Sequence, residues 1–339
     1  MKSIGLDLHK IQCQVCELDG DTIREYRVRT NRQDLIEKFG GREACRILLE
    51  ASTESEWVAR LLEQLGHEVI VADPNFAPMY ATRSKRIKND KRDARALGEA
   101  CRLGAYRPAH RLSDESRELR SRVLVRESLV QSRTRQINLS LALLRLQGVR
   151  VPTGDSSTFA KRVGTVDLDP TLAETIASLL EHHAFLTSKI KDADRVLEEL
   201  AATDPEMQRL CTVPCVGPVT AATFVTTLDD PGRFENSRQV RAFLGLVPRE
   251  SSSGERLRRG PITKVGNRRA RVLLVQAGWG IWRSKSAEAA PLREWARKIA
   301  LRRGQRRAIV ALARRLAGIL WAIWRDQSVY KTQEVLRAA

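Results

Sequence analysis

Three short alternating runs precede the first helix signal in this chain, and their order limits the fold more than any other feature. Ser3 to His9, Gln12 to Leu18 and Thr22 to Val28 each alternate apolar and polar residues, and Asp19-Gly20 between the last two is a hairpin signal. Helix and strand then alternate. Arg32 to Phe39 reads as a helix, Cys45 to Glu50 as a buried strand and Ser55 to Leu65 as an amphipathic helix; Glu68 to Ala72 is a strand stopped by Asp73-Pro74, and Asp90 to Leu103 a closing helix. This order predicts a sheet with the first strand in the middle and the fourth parallel beside it.

Such a sheet is ribonuclease-H-like, and it occupies only the first third of the 339 residues. At about 150 residues per domain the length predicts roughly two domains. Between about 112 and 205 strand formers are scarce, and leucine and isoleucine recur at about 3.5-residue spacing in two stretches, around Leu119 to Leu144 and Leu172 to Leu197. Two long helices follow, as an antiparallel hairpin within one chain or a coiled coil between chains. From Leu210 a second globular part begins. Its LCTVPCVGPVTAATF start resembles a helix-hairpin-helix, where a turn offers backbone N–H groups to phosphate. A short helix at Asn236 to Leu244, a polar loop at Pro248 to Pro261, and helices at about 267–282 and 305–325 complete it. The predicted organisation is α/β plus α: 1–105 an α/β domain, 106–205 a helical coiled-coil region, 206–339 a mainly helical domain.

Lys and Arg number 59 against 41 Asp and Glu, a formal charge of +18, while 42% of residues are hydrophobic, enough to form cores. The charge belongs to a folded body, and a polyanion is the partner it predicts. The N-terminus runs into a strand with no apolar export signal, so an intracellular place of work is expected. The apolar run Ala317 to Trp324 is about eight residues, against roughly 20 for a membrane span.

Four acids carry the chemistry. Asp7 is mid-strand between Leu6 and Leu8, where a buried carboxylate needs a compensating charge. Glu50 ends the strand run RILLE, next to the first strand in the expected sheet. Asp90 and Asp93, three apart in NDKRDARAL, share a helix face. Four converging carboxylates repel one another unless divalent cations hold them, and oxygen ligands favour Mg²⁺ or Mn²⁺. Two-metal phosphoryl chemistry is their natural use. Arg83, Lys85, Arg86, Lys88, Lys91, Arg92 and Arg95 crowd around the last two acids and suit a phosphodiester. His9, two residues after Asp7, points to the same sheet face.

A second segment, GLVPRESSSGERLRRGPITKVG, places three adjacent hydroxyls among Arg249, Arg256, Arg258, Arg259 and Lys264, followed by Arg268 and Arg269. Serine attacks phosphate only after losing its proton, with cations taking up the developing charge. By composition alone SSSG is a plain turn. Cys13 and Cys16 form a CxxC inside a strand, which does not suit zinc, and all six cysteines are expected reduced. His182-His183 lies in a helix. The tryptophans Trp279, Trp282, Trp295, Trp321 and Trp324, at helical spacing, suit core and interface anchors better than base stacking.

Together, GLDLHK, ILLEAS, NDKRDARAL, VPCVGPVTAATF, FLGLVPRESSSG and ITKVGNRRAR resemble, from end to end, the DEDD serine transposases of the insertion sequence one-ten family. The resemblance implies a RuvC-like N-terminal domain with a metal site at Asp7, Glu50, Asp90 and Asp93, a coiled-coil middle, and a C-terminal domain with a catalytic serine. Ser253, directly before Gly254, matches that serine; Ser251 and Ser252 precede it. A DNA recombinase guided by a structured RNA encoded by the element is implied. So are a covalent 5′-phosphoserine intermediate, sites shared between subunits of a dimer or tetramer, and a cytoplasmic, nucleoid-associated location. Two other readings fit the residues: a RuvC-like structure-selective nuclease using water, and a non-catalytic nucleic-acid scaffold.

Overall fold

The strands β1 (Ser3–Leu8), β2 (Gln12–Asp19) and β3 (Thr22–Arg29) form an antiparallel meander, turned between the last two by Gly20 at a left-handed φ of 58°. The structure is a computed structural model and describes residues 1–81, 89–250 and 259–332, with Arg259 described in its backbone alone. Its contacts separate two units, Met1–Arg111 and Leu112–Ala339.

In the first unit, helix α1 (Arg32–Phe39) is capped by the Asn31 side chain, and β4 (Arg46–Glu50), α2 (Ser55–Gln64), β5 (Glu68–Ala72) and α3 (Asp90–Leu103) follow. The five-stranded sheet runs β3-β2-β1-β4-β5, with β1 in the middle and β4 parallel beside it, as the order of the runs predicts. Ile4, Leu6, Ile47 and Leu49 face one side and pack with Leu35, Phe39, Val58 and Leu62 of α1 and α2. Leu48 faces the other side and packs with Leu97, Ala100 and Cys101 of α3. The period-2 alternation of the strands thus feeds two separate helical layers.

Near the outer strands, Glu17 of β2 is 7% exposed and receives hydrogen bonds from Arg42, at 2.6 Å, and from Tyr26. Burial pushes the Glu17 carboxyl up, but the Arg42 and Tyr26 hydrogen bonds outweigh it and hold it below the usual range. A depressed carboxylate stabilises the fold above its unfolded pKa, about 4.3, and that contribution disappears as pH falls through the folded value. Glu17→Gln is therefore expected to cost about 2 kcal/mol at pH 7. In urea unfolding the gap from the wild type should shrink toward pH 3; a gap that stays constant with pH would contradict this.

The second unit opens with α4 (Asp114–Leu146), α5 (Phe159–Val163) and α6 (Pro170–Thr203). Arg126 near the start of α4 pairs with Asp194 near the end of α6 at 2.7 Å, and Leu144 at the far end of α4 packs with Ile176 at the start of α6. The two long helices are an antiparallel pair within one chain. Then come α7 (Pro205–Cys211), α8 (Pro218–Leu228), α9 (Ser237–Phe243), β6 (Pro248–Glu250), β7 (Arg259–Ile262), α10 (Arg268–Arg283), α11 (Ala290–Arg303) and α12 (Gln305–Arg325). Their core joins Val123 and Leu197 of the long helices to Leu210, Phe224, Leu274, Leu316 and Trp324. The helices of 114–203 accordingly belong to the same compact unit as the residues after 205.

Two local expectations need correction. The polar loop over Pro248 to Pro261 is bounded by paired strands, because β6 and β7 join in antiparallel register from Pro248 and Ile262 to Glu250 and Arg259. Helix α11 has no clear signal in the sequence: only Leu292 and Ala296 of its residues are buried, so its apolar periodicity is faint. Trp321 and Trp324 are buried, and Trp321 Nε1 donates to Pro231 O at 3.0 Å. No described helix is long and apolar enough to cross a membrane.

Candidate active site

The parallel register of β1 and β4 pairs Leu6 with Leu49, so the next residues, Asp7 and Glu50, sit side by side near the ends of adjacent strands. Asp7 lies two residues beyond Gly5 and Glu50 two beyond Leu48, which places both carboxylates on the face covered by α3. Helix α3 rests directly on β1: a Cβ on Gly5 would overlap Ala94 O and Gly98 N. Its first turn carries Asp90 and Asp93, where acids suit the N-terminal end of the helix dipole, and the Asn89 side chain caps it. Asp93 is buried on the inner face, 6% exposed.

His9 joins this group. Its Nε2 lies 3.3 Å from Asp7 Oδ2 and 3.6 Å from Asp90 Oδ1, and the donor atoms of Asp7, His9 and Asp90 all lie within 4.8 Å of one another. Glu50 accepts a hydrogen bond from the Tyr80 hydroxyl. Burial above all raises the Asp7 carboxyl, His9 lowers it, and the charges of Asp93, Glu50 and Asp90 add to the rise, which together bring it to about 6. All three other acids therefore act on Asp7. A mostly oxygen donor set under mutual repulsion, with one imidazole, fits a divalent cation. Beside it a cavity of about 450 Å³ is lined by His9, Lys10, Gln12, Gln14, Arg27 and Asp90 among others, so two cations border the acids.

Of the basic residues expected near the acids, Arg92 is exposed on α3, as are Lys91 and Arg95, whereas Arg83, Lys85, Arg86 and Lys88 lie outside the described residues. Tyr80 was not found from sequence. Its only signal is an aromatic residue with a polar tip between the last strand and the acidic helix. His9 was placed on the right face by strand alternation alone.

In the second unit, Ser251, Ser252, Ser253, Arg256 and Arg258 lie outside the described residues, and the side chain of Arg259 does too. The flanks are described. Gly245 and Gly266 have φ of 67° and 82°, and a Cβ on either would overlap backbone, of Val265 and Phe243 respectively. Arg271 donates to Val265 O at 2.7 Å, Gly266 O at 3.0 Å and Leu244 O at 3.1 Å, tying the base of the hairpin to α10. This clamp was also missed, since an arginine in an arginine-rich run carries no mark of an inward role. Arg249, Lys264 and Arg268 are exposed. Arg269 pairs with Glu127 of α4 at 2.9 Å and is 16% exposed.

Comparison with known proteins bears on both units. A family profile of DEDD transposases of the IS110 type matches residues 4–147, and the profile of the transposase IS116/IS110/IS902 family matches residues 207–292. The transposase for insertion sequence element IS1328 of Yersinia enterocolitica is 30% identical over 335 residues, covering 96% of this chain and 98% of that protein. A probable family 20 transposase of Pseudomonas aeruginosa is 29% identical, covering 98% of this chain and 99% of that one. The transposase for IS1111A of Coxiella burnetii is 28% identical, covering 98% and 92%. These likenesses, with an acidic centre in one unit and a basic helical second unit, define an enzyme that acts on DNA, a transposase. The chain belongs to the IS116/IS110/IS902 transposase family.

Proposed function

We propose that this transposase exchanges DNA strands through a covalent phosphoserine at Ser253, with Mg²⁺ (or Mn²⁺) held by Asp7, Glu50, Asp90 and Asp93 of a RuvC-like N-terminal unit. One observation carries the reading: the ends of β1 and β4 and the first turn of α3 bring charge from three acids onto the half-buried Asp7. The central β1 with parallel β4 supports the RuvC-like assignment. His9 completes the donor set beside Asp7 and Asp90.

A bound divalent cation supplies positive charge to the phosphodiester and to the oxygens that gain charge as it reacts. Lys10 and Arg27 draw the DNA backbone toward the acids. Ser253 Oγ attacks a backbone phosphorus and loses its proton to water; the P–O3′ bond breaks and the departing 3′ oxygen takes a proton from water, leaving a 5′-phosphoserine and a free 3′-OH. Attack by the 3′-OH of a new partner strand on that phosphoserine restores the serine and joins the strands, so no ATP is consumed. Arg249, Lys264 and Arg268 flank the serine segment and take up phosphate charge. In the same reading a structured RNA encoded by the element selects the DNA. Subunits of a dimer or tetramer share sites, with the RuvC-like unit of one serving the serine of another.

The test incubates full-length protein with labelled element DNA, Mg²⁺ and co-purified RNA, and maps covalent adducts by mass spectrometry. Adduct is expected at Ser253, with a loss of at least about 10³-fold in Ser253→Ala. Ser252→Ala should retain it. Cleavage that persists in Ser253→Ala with no adduct would replace this reading with a water-using nuclease.

A further inference from the structure

Gly318 lies inside α12, where glycine is the least favourable residue short of proline. The space it leaves is filled. A Cβ built there would lie 2.5 Å from Nη2 and 3.0 Å from Nε of Arg241, which belongs to α9. Arg241 Nε is buried and makes no hydrogen bond. Arg238, three residues earlier on the same face of α9, and Arg314 and Arg315 of α12 stand within electrostatic reach. Among the described residues no carboxylate pairs with Arg238, Arg241 or Arg314. Burial, and then the charges of Arg314, Arg315 and Arg238, push Arg241 below its ordinary pKa. The Arg315 guanidinium is held 4.6 Å from the centre of the Trp295 ring.

Like charges gathered without a counter-charge oppose folding, and a helix glycine that makes room for one of them opposes it further. An anion removes the first cost and gives the second a use. We propose that Arg238, Arg241 and Arg314 form a phosphate site, with Arg241 seated in the notch at Gly318, and that its ligand is a phosphodiester of the DNA backbone. Guanidinium groups meet phosphate oxygens in paired hydrogen bonds, a geometry that lysine does not reproduce. Helix α9 runs within five residues into β6, the strand that enters the serine segment, so a backbone phosphate gripped on α9 holds DNA beside that strand. DNA as the ligand rests on membership of a transposase family and not on the chemistry of Ser253.

The test measures binding of a labelled 30-base-pair duplex to full-length protein across salt concentration. Wild type is compared with Arg241→Met, Gly318→Ala, Arg238→Gln and the control Arg195→Met, which removes one charge from an exposed position on α6. Arg241→Met is expected to reduce the salt slope by about 0.9 and weaken binding about tenfold at 0.15 M salt. Its Tm should rise by about 2 °C, because a repelled cation is gone. Gly318→Ala keeps every charge yet should weaken binding to a similar degree, and Arg238→Gln reports on the site without touching the notch. Equal slopes for Arg241→Met and Arg195→Met would overturn the proposal, as would a fall in Tm with DNA binding intact. Loss of binding to a structured RNA with none to the duplex would overturn the assignment to DNA. Adduct formation at Ser253, read in the same samples, is independent: adduct with equal slopes sinks this site alone, and no adduct with reduced slopes sinks the serine reading alone.

Discussion

Asp7→Asn is expected to eliminate transposition while making the N-terminal unit more stable. Asp7 is 14% exposed, and burial first, with the charges of three other acids against the opposing effect of His9, raises its carboxyl to about 6. Asparagine has the same shape and no charge, so it removes both the desolvation and the repulsion. A gain of about 1 to 2 kcal/mol in metal-free protein follows, visible as a higher Tm. The activity moves the opposite way. Loss of a central oxygen donor should remove about 4 kcal/mol of stabilisation from phosphoryl transfer, about 10³-fold in transposition frequency of the element in cells.

The two measurements together separate a metal centre from a structural acid cluster. Mg²⁺ bound only by the folded state should raise the Tm of the wild type in a concentration-dependent way and leave Asp7→Asn unmoved. If Asp7 instead served the fold, its asparagine variant would melt lower and Mg²⁺ would shift neither protein. A stabilised, inactive and Mg²⁺-insensitive variant is the signature of a site that sacrifices stability for chemistry.

Strands and helices of the first unit were legible because each carries its buried residues at a single period. The run RILLE alternates Ile47 and Leu49 toward one layer and Leu48 toward the other, and the hairpin at Asp19-Gly20 leaves one way to order the first three strands. Convergence of Asp7 with Glu50 then followed from register. What stayed hidden depends on contacts that no local pattern encodes. Tyr80 reaches Glu50 from 30 residues away, across the chain between β5 and α3. Arg271 and Arg269 look alike in NRRAR, yet one binds three carbonyls and the other an acid of α4. Helix α11 was lost for the reverse reason: its short buried stripe is outweighed by six Lys, Arg and Glu residues in a fourteen-residue helix.

Gly5→Ala is expected to damage the first unit severely, whereas Gly98→Ala, at the same contact, should be almost harmless. The added methyl at Gly5 meets Ala94 O and Gly98 N, backbone atoms of a helix that cannot rotate away as a side chain would. Overpacking a core commonly costs 1 to 3 kcal/mol when side chains adjust, so about 3 kcal/mol or more is expected here. At Gly98 the nearest atoms to a new Cβ are Cys16 O and Leu18 Cδ1 at 3.4 Å, an ordinary contact, and alanine favours the helix by about 1 kcal/mol. The difference reaches the chemistry. Lifting α3 from β1 draws Asp90 and Asp93 away from Asp7, so any Gly5→Ala protein that folds should also lose the Mg²⁺-dependent rise in Tm, while Gly98→Ala keeps it. Equal melting of the two variants would mean that α3 does not rest on β1 at Gly5, and the acids would then have no fixed distance at which to hold a cation.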